Sequence, residues 1–447
     1  MMIFEIKQGD ESLTSHSGLA LIGALLHKTQ LKKRINAVHL SNHPHPEISH
    51  GEVALSMIGL LCLGKPDFEA IEAFRGDPFF STSLGISTVP SEGTLRQRLN
   101  DAEGKFDAIL KEESADMIKR HATLISPCHK NYVPLDIDVS PFDNSGTKKE
   151  GVSWTYKKVD GYAPILAYLG KEGYWINVEL REGKQHCQKG TPEFLRKTIG
   201  LAKQITSSPL LVRLDSGNDS LDNIRVCQEE NVDWLIKRNL RQESMEMWLE
   251  IAKTTGTVHV PRPGKAVYRG AIEVTREGIK NPLRQVFEVT VRTIDGKGQE
   301  LLFPEIEVET YETSLPDAPE TIVELYHAHG TSEQFHSEIK SDMDLERLPS
   351  GKFSTNALVL LLGMVAYNIL RLCGQESLRE EGVARDERAP IRKAVSRRRL
   401  RSVMQDLIYM ASRVVTHARR MGMTFGRWNS WYPVWQRIYN RFVGAYG

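Results

Sequence analysis

The sequence predicts an α/β fold in which a mixed sheet lies between helical regions. Three observations support this fold class. Apolar residues recur at helical spacing up to about residue 128, β-type segments alternate with helices from 129 to 240, and helical spacing returns after about residue 320. Between 241 and 320, short β segments separated by Gly and Pro turns replace the alternation. We therefore expect an α/β core that carries a β-rich insertion.

Length and composition define the broad class of the protein. The chain has 447 residues, which is enough for two to four domains. Its composition, 40% apolar and 26% charged, is typical of a globular protein. The first residues lack a basic segment followed by an apolar one, so no signal peptide is expected. The apolar run at 357–369 is too short to span a bilayer and predicts a buried helix, so no membrane partner is expected.

Cysteine and histidine spacing argues against a structural metal site. The five cysteines are scattered along the chain and form no CxxC pair. This pattern predicts neither a disulfide framework nor a zinc knot, and it fits a reducing cytoplasm. His327 and His329 are two residues apart and cannot share a helical face, so they do not form a zinc motif either.

The net charge of +1 conceals an uneven distribution along the chain. From Arg388 to the end, 13 Lys or Arg accompany a single acid, Asp406, so the preceding residues are strongly acidic overall. A basic tail predicts a polyanion such as DNA as a partner. The alternative is a solvated charged helix. The candidate phosphate contacts in this tail are Arg397, Arg398, Arg399 and Arg401.

Residues 1–128 are predicted to form a helical DNA-binding region. The stretch from Glu52 to Gly64 predicts a buried helix that ends at a glycine cap. A turn beginning at Val89 then leads into a short helix that carries Arg96 and Arg98. This arrangement is similar to the second half of a helix-turn-helix, whose second helix contacts DNA. A structural helical hairpin is the alternative.

Residues 129–240 are predicted to form the first part of the core. A strand at 132–139 begins a run of three antiparallel strands, a helix, a strand that ends at Leu214, a second helix and a fifth strand. This is the element order of a ribonuclease-H-like domain, in which the first and fourth strands end side by side. We therefore expect Asp138 and Asp215 to be neighbours.

The remaining segments complete the predicted organisation of the chain. They are a β-rich insertion at 241–320, a helical segment at 321–380 that completes the core, and a basic helical region at 381–447.

Three acidic residues stand where a two-metal phosphoryl-transfer site needs them. Asp138 lies in the first strand, Asp215 follows the fourth, and Glu333 lies on a helical stretch. Carboxylates are the ligands that hard divalent cations prefer. Asp136 points the same way as Asp138, because side chains alternate along a strand, so either could be the first ligand. Asp138 is favoured because Ser140 completes an Asp-x-Ser step typical of such sites.

Polar residues at helical spacing surround Glu333. At about 100° per residue, one predicted helix face carries Tyr326, His329, Glu333, His336 and Lys340. On this interpretation His329 and Lys340 contact phosphates near the reacting strand. The alternative is the ordinary polar face of an amphipathic helix.

Several pieces of the sequence together point to a known family. They are Leu135-Asp-Ile-Asp-Val-Ser, Gly161-Tyr-Ala-Pro-Ile-Leu, Leu214-Asp-Ser-Gly, Glu333-Gln-Phe-His-Ser-Glu-Ile-Lys-Ser-Asp, and the stretch from Asn356 to Leu370. In this order and spacing the chain resembles the insertion-sequence DDE transposases, in the group-1 branch of their DDE domain. The resemblance spans residues 45 to 425, which is most of the chain.

The resemblance assigns roles to the candidate residues. It implies a catalytic triad of Asp138, Asp215 and Glu333, and it places Tyr326 and Lys340 in the Tyr-Arg-Glu-Lys signature of related transposases. His329 stands where that signature has arginine, so a phosphate contact there would be weaker or dependent on pH. The 117 residues between Asp215 and Glu333 match the insertion of these enzymes. Related enzymes stack a flipped base on a tryptophan near the insertion; the candidates here are Trp234 and Trp248, although Trp234 lies in a strand pattern typical of core.

The resemblance also implies an activity. It implies an enzyme that binds the terminal inverted repeats of its element, cleaves the flanking phosphodiesters and joins the 3′-hydroxyls to target DNA. Two Mg²⁺ ions, or Mn²⁺, would support the chemistry. A homodimer on paired ends and a nucleoid-associated location in the cytoplasm are further expectations. Two other functions stay open: a catalytically silent DNA-binding protein descended from a transposase, and a ribonuclease-H-like nuclease without strand transfer.

Overall fold

The computed structural model describes residues 3–279, 281–379, 395–417 and 420–444. The chain forms two compact units. The sheet unit comprises Leu124–Ser145 and Gly151–His336, and the helical unit comprises Met1–Thr123, Gly146–Glu150 and Ser337–Gly447. The part of the predicted basic tail at 380–394 lies outside the described residues.

The strands are short in the helical unit and long in the second half of the sheet unit. In chain order they are β1 (Leu13–Thr14), β2 (Val133–Val139), β3 (Phe142–Asp143), β4 (Ser153–Trp154), β5 (Asp160–Tyr162), β6 (Ile165–Leu169), β7 (Tyr174–Glu179), β8 (Leu210–Leu214), β9 (Asp233–Lys237), β10 (Thr257–Arg262), β11 (Lys265–Val274), β12 (Leu283–Ile294), β13 (Glu300–Thr313), β14 (Ser412–His417) and β15 (Arg420–Phe425).

The α-helices range from a single turn to seven turns. In chain order they are α1 (Leu19–His27), α2 (Leu31–Asn36), α3 (His50–Cys62), α4 (Pro78–Leu84), α5 (Glu92–Asp101), α6 (Asp107–His121), α7 (Thr191–Ile205), α8 (Leu221–Glu229), α9 (Met245–Thr255), α10 (Pro319–His327), α11 (Ser332–Ser337), α12 (Phe353–Ser377), α13 (Leu400–Val403) and α14 (Tyr432–Val443). Short 3₁₀ turns cover Phe68–Phe74, Ser216–Asn218 and Ala328–Thr331, and π turns cover Glu338–Asp342 and Met404–Ile408.

A mixed sheet forms the centre of the sheet unit. Its order is β10-β11-β12-β13-β9-β8-β2-β6-β7. Strands β2, β6 and β7 are antiparallel neighbours, whereas β8 is parallel to both β2 and β9. The predicted order of three antiparallel strands followed by helix, strand, helix and strand is therefore confirmed. The predicted mixed α/β class is confirmed as well.

The β-rich insertion extends the central sheet. Strand β13 pairs with β9 through the register Tyr311↔Lys237, so β10 to β13 continue the same sheet. The predicted β-rich insertion contains four strands and begins with a helix, α9, that the sequence interpretation did not include. Ser244 caps this helix by accepting a hydrogen bond from the Met247 amide. Trp248 of α9 packs on Phe287, with ring centroids 5.9 Å apart.

Helix α10 closes one face of this sheet. Its residues Ile322, Val323 and Leu325 are buried against residues of β8, β9, β12 and β13. Burying three such aliphatic side chains contributes roughly 1.5–3 kcal/mol each. The helix is thereby fixed on the sheet whose strands carry the candidate aspartates.

In the helical unit, α12 is the central helix and packs against α3 and α6. The Asn368 amide donates to the Ser114 hydroxyl of α6 at 2.9 Å. By length and composition α12 could cross a membrane, so the expectation that this apolar run is too short is wrong. Of its most apolar window, 94% is buried inside the protein. The prediction of a buried helix is therefore confirmed.

The ends of the helical unit differ from the expected all-helical pattern. The stretch after Pro66 forms a 3₁₀ turn rather than an α-helix. Residues after 411 form the hairpin β14–β15, and β1 pairs with β14. The prediction that the whole of 381–447 is helical is wrong here, because the Val414-Val-Thr run and the alternating residues up to Phe425 favour strands.

Candidate active site

Asp138 and Asp215 lie at the carboxyl ends of two adjacent parallel strands. The register of β2 and β8 pairs Ile137 with Leu214, and each aspartate is the next residue of its strand or loop. Because parallel strands end at the same edge of a sheet, the two carboxyl groups come together there. The predicted proximity of these two residues is confirmed.

Local hydrogen bonds orient both carboxylates. Asp138 Oδ1 accepts from the Val139 amide at 2.7 Å. Asp215 Oδ1 accepts from the Asn218 side-chain amide at 2.8 Å. A Cβ added at Gly217 would lie only 3.2 Å from Asp215 Oδ2, so glycine at this position leaves the second oxygen accessible.

Burial and a neighbouring carboxylate raise the proton affinity of Asp138. Burial, and then the charge of Asp215, raise the pKa of Asp138 to about 6, although His329 and Lys157 act in the opposite direction. Burial and both aspartates also raise the pKa of Tyr326, which lies near them. A site with this electrostatic character favours any bound cation, because a cation relieves the repulsion between the carboxylates.

Asp136 is engaged in a buried ion pair. Arg213, on the neighbouring strand β8, donates to it through Nε at 2.6 Å and Nη2 at 2.7 Å. The His329 Nδ1–H donates to the same carboxylate at 3.0 Å. Burial opposes the charge, but Arg213 and His329 outweigh it and lower the pKa of Asp136 to about 2. Both oxygens are therefore used, which favours Asp138 as the metal ligand.

Arg213 is a site residue that the sequence interpretation missed. Its Nη1 donates to the Leu325 carbonyl at the end of α10, at 2.7 Å. It therefore joins β2, β8 and the segment that leads to His329. The signal was present in the sequence: a single charged residue lies inside the apolar strand Leu210–Leu214, and a buried charge requires a partner.

The predicted continuous helix from 326 to 340 is wrong. Helix α10 ends at His327, a 3₁₀ turn covers Ala328–Thr331, and α11 covers only Ser332–Ser337. His329 is consequently buried on the turn and faces Asp136, with its ring 5.8 Å from that of Tyr326. The predicted stripe is therefore not one helical face.

Glu333 is not grouped with the two aspartates. It is exposed on the first turn of α11. Across the described residues, no set of three or more Asp, Glu, His or Cys side chains is placed to hold one metal ion. His336 approaches instead, with Nδ1 3.7 Å from Asp138 Oδ2 and its ring 5.5 Å from that of Tyr168.

The donor set fits a divalent cation in part. Asp138 and Asp215 offer carboxylate oxygens, which Mg²⁺ and Mn²⁺ prefer. Burial and the neighbouring charge of Asp215 raise the pKa of Asp138, and a bound cation would offset both effects. These two residues would hold the ion, and among the described residues no third candidate ligand is grouped with them.

Tyr326 packs against residues of the extended sheet. Its ring centroid is 4.8 Å from that of Tyr311, and the Lys237 ammonium lies 5.7 Å from its centre. Glu309 accepts hydrogen bonds from Lys237, from the Tyr311 hydroxyl at 2.9 Å and from His327 at 3.2 Å. The insertion strand β13 therefore helps to position Tyr326.

Both tryptophans considered for base stacking are buried. Trp234 lies in β9 and is 8% exposed, and Trp248 in α9 is 2% exposed. The Trp248 indole donates to Glu243 at 2.9 Å, and Arg238 covers its ring at 5.8 Å. As the protein stands, neither ring is available to a base.

The other predicted DNA contacts lie in the helical unit. Lys340 is in a π turn, 3.9 Å from Glu346. Arg397 donates to Glu338 at 2.9 Å, and Arg399 binds Asp342 at 2.8 and 2.9 Å.

Further contacts neutralise part of this basic segment. Arg401 lies 3.4 Å from Asp342, and Arg398 pairs with Asp406 and covers the Trp431 ring at 4.3 Å. Arg398 is buried, whereas Arg399 and Arg401 are exposed. Two buried acids in the π turn, Glu338 and Asp342, thus anchor every arginine of this set except Arg398, and these contacts were not predicted from the sequence.

Arg98 of the predicted helix-turn-helix is also buried. It donates to the Ile48 carbonyl at 3.1 Å and contacts His50 Nδ1 at 2.5 Å. Arg96 is exposed and pairs with Glu92 of the same helix. Arg98 therefore has a structural role within this unit.

The Arg213→Met variant tests the buried ion pair. Because it leaves the Asp136 carboxylate buried without its main partner, we expect the free energy of unfolding to fall by about 3–5 kcal/mol in urea denaturation. Adding Asp136→Asn should recover part of the loss. The control is Arg196→Met, whose exposed partners are Glu229 and Glu230, and it should leave the denaturation midpoint nearly unchanged. Equal effects of the two arginine variants would contradict the assignment.

The pH dependence of stability tests the carboxylate pair. Because the pKa of Asp138 is raised on folding to about 6, its stabilising contribution is complete below about pH 4 and is lost as the pH rises through 6. Relative to Asp138→Asn, the free energy of unfolding of wild type should fall by up to about 3 kcal/mol between pH 4 and 7.5, measured by denaturation in EDTA. Asp222→Asn changes an exposed carboxylate, and its stability should depend on pH in the same way as that of wild type. A pH-independent difference for Asp138→Asn would refute the pairing.

Comparison with known proteins gives the family. A search of the curated proteins finds no significant match. Among solved structures, the chain is similar to the piggyBac transposase in a synaptic complex with hairpin DNA, at 12% identity and a TM-score of 0.39, covering 80% of this chain and 75% of that one. The family model described as transposase DDE domain group 1 matches residues 5–443, which is nearly the whole sequence. The chain therefore belongs to the group-1 DDE-domain transposase family.

Proposed function

We propose that the protein is a DNA transposase that binds the terminal inverted repeats of its element, cleaves the flanking phosphodiesters and joins the 3′-hydroxyl ends to target DNA. The observation that carries this proposal is the pair Asp138 and Asp215 at the ends of adjacent parallel strands, in a chain of the DDE transposase family. Carboxylates in this arrangement suit phosphoryl transfer.

The sheet order supports a ribonuclease-H-like core. Strands β7, β6 and β2 are antiparallel, and β8 and β9 follow β2 in parallel orientation. Helices α7 and α8 connect the strands in the order that such a core requires. On this proposal, β2 and β8 are the two strands that carry the first two members of the triad.

Asp138 and Asp215 would hold the divalent cation, Mg²⁺ or Mn²⁺. When bound, such an ion polarises the phosphate and activates the attacking hydroxyl group. Glu333 is the third carboxylate that the family resemblance implies. It is exposed and forms no ion pair among the described residues, so it is available to a cation once DNA is bound. His336, beside Asp138, offsets the carboxylate charge when its imidazole is protonated.

The residues around the pair fix its geometry. Arg213 and Asp136 connect β2 to β8, and the same cluster holds His329 on its turn. The Tyr326 ring, supported by Tyr311, borders the carboxylates. Rigid placement of the reacting groups is the main contribution a protein makes to metal-assisted phosphoryl transfer.

DNA binding, a homodimer on paired ends and a nucleoid-associated location belong to the same proposal. Among the predicted tail arginines, Arg399 and Arg401 have the exposed side chains, at 50% and 57%. They are therefore the members of the predicted set best able to contact phosphates, and their contribution should weaken as salt rises.

A catalytically silent DNA-binding protein is the second candidate function. The observation that favours it is that Glu333 is exposed and that no three candidate metal ligands are grouped in the described part of the chain. A nuclease without strand transfer shares the same carboxylates, so only a joining assay separates it from a transposase.

The Asp215→Asn variant tests the proposed activity. With Mg²⁺ and DNA that carries the ends of the element, wild type should cleave and join, whereas the variant should lose cleavage by more than about a thousandfold and still bind the DNA. Asp222→Asn, an exposed aspartate in the same unit, is the matched control and should keep activity.

The remaining outcomes separate the candidate functions. Cleavage without joined product would support the nuclease, and binding without cleavage by wild type would support the silent protein. Full activity of Asp215→Asn would contradict the catalytic assignment.

A further inference from the structure

Two large aromatic side chains are exposed at the end of β4 and on the loop that connects it to β5. Trp154 is 60% exposed and Tyr156 is 65% exposed. Lys157 and Lys158 follow them and are also exposed. We call residues 154–158 the aromatic loop. Side chains of this size usually contribute to a core or an interface, so two of them exposed beside two cations indicate a binding surface.

The aromatic loop is a defined structure. Thr155, between the two aromatic residues, is buried, and both its amide and its hydroxyl donate to the Val159 carbonyl at 2.9 Å. The Lys158 amide donates back to the Thr155 carbonyl at 2.9 Å, and Lys158 adopts a left-handed φ of 61°. The turn therefore holds the aromatic side chains outward, which lowers the entropy cost of binding.

The loop lies beside the carboxylate pair. The Tyr156 hydroxyl donates to the Val139 carbonyl at 2.9 Å, and Val139 is the residue after Asp138. The ammonium group of Lys157 is close enough to lower the pKa of Asp138. A molecule that reaches Asp138 and Asp215 would therefore meet this loop.

The chemistry of the loop fits a nucleotide. In the part of the chain that the structure describes, no salt bridge engages the exposed ammonium group of Lys157 or Lys158, so both can contact phosphates. Aromatic rings stack on base faces, and cations follow the backbone, in proteins that bind single strands. Bases inside a duplex already stack on their neighbours, so a ring can cover only an unpaired base.

We propose that Trp154 and Tyr156 form a stacking surface for an unpaired base of a DNA strand at the carboxylate pair, with Lys157 and Lys158 binding its phosphates. The inference rests on the proposed function, because it requires DNA at the carboxylates. It assigns base stacking to an exposed loop rather than to the buried Trp234 and Trp248.

The test compares two fluorescent DNA probes with wild-type protein and variants in EDTA, so that no cleavage occurs. One probe is a fully paired duplex, and the other is the same duplex with a bulged 2-aminopurine. Wild type should bind the bulged probe more tightly and quench its fluorescence by stacking. Trp154→Ala should lose the quench and weaken binding of the bulged probe by about tenfold, with the paired duplex unaffected. Trp154→Phe should retain most of both effects.

Two controls make the result specific. Trp428→Ala removes another exposed tryptophan, which is 85% exposed in the helical unit, and should behave as wild type. The double variant Lys157→Ala/Lys158→Ala should weaken binding of both probes. It should also reduce the slope of log Kd against the logarithm of the salt concentration by about two.

The outcomes separate the two proposals. If wild type binds and cleaves DNA but Trp154→Ala keeps the quench, the stacking proposal fails and the proposed function stands. If wild type binds neither probe, both fail. A change of oligomeric state in Trp154→Ala with an unchanged quench would show that the loop contacts a second copy of the chain instead, and would also overturn the proposal.

Discussion

The buried ion pair between Arg213 and Asp136 is the interaction on which the arrangement of the carboxylates depends. It connects the two central strands two residues before Asp138 and Asp215, and the same guanidinium donates to the Leu325 carbonyl of α10. A buried pair of this kind is rarely the most stable choice, because desolvation offsets much of its attraction. Its effect is to specify register: the pairing that satisfies Arg213 is the pairing that sets Asp138 beside Asp215.

That constraint extends to the segments around the site. His329 donates the remaining hydrogen bond to Asp136. It lies on the 3₁₀ turn that interrupts the predicted continuous helix. The sheet continues through β13, whose Tyr311 and Glu309 support Tyr326 and His327. The insertion is therefore structurally joined to the site through the sheet.

Some of this could be predicted from the sequence. Strands β2, β8 and β9 are apolar runs bounded by turn residues, so their order and the proximity of Asp138 and Asp215 followed from local pattern. Helix α9 and the hairpin β14–β15 were missed because charged residues and mixed spacing make their sequence patterns weak. The Ser244 cap of α9 was nevertheless visible in the sequence.

The contacts of buried charges could not be predicted from spacing. His329 was assigned to phosphates from its place on a predicted helix face and Arg398 from the basic tail, yet Asp136 and Asp406 bind them. A pattern gives the face of an element, whereas the partner of a polar group depends on which distant segment packs there. The same limit explains why Trp234 and Trp248 were considered for stacking, whereas Trp154 was not.

The central claim is that Asp138 and Asp215 form one cation-binding pair before DNA arrives. Titration of the DNA-free protein with Mn²⁺, followed by electron paramagnetic resonance, tests it most directly. Wild type should bind the ion, Asp138→Asn and Asp215→Asn should each weaken binding by more than about tenfold, and Glu333→Gln should leave it unchanged. Wild-type affinity in Asp138→Asn or Asp215→Asn would contradict the account.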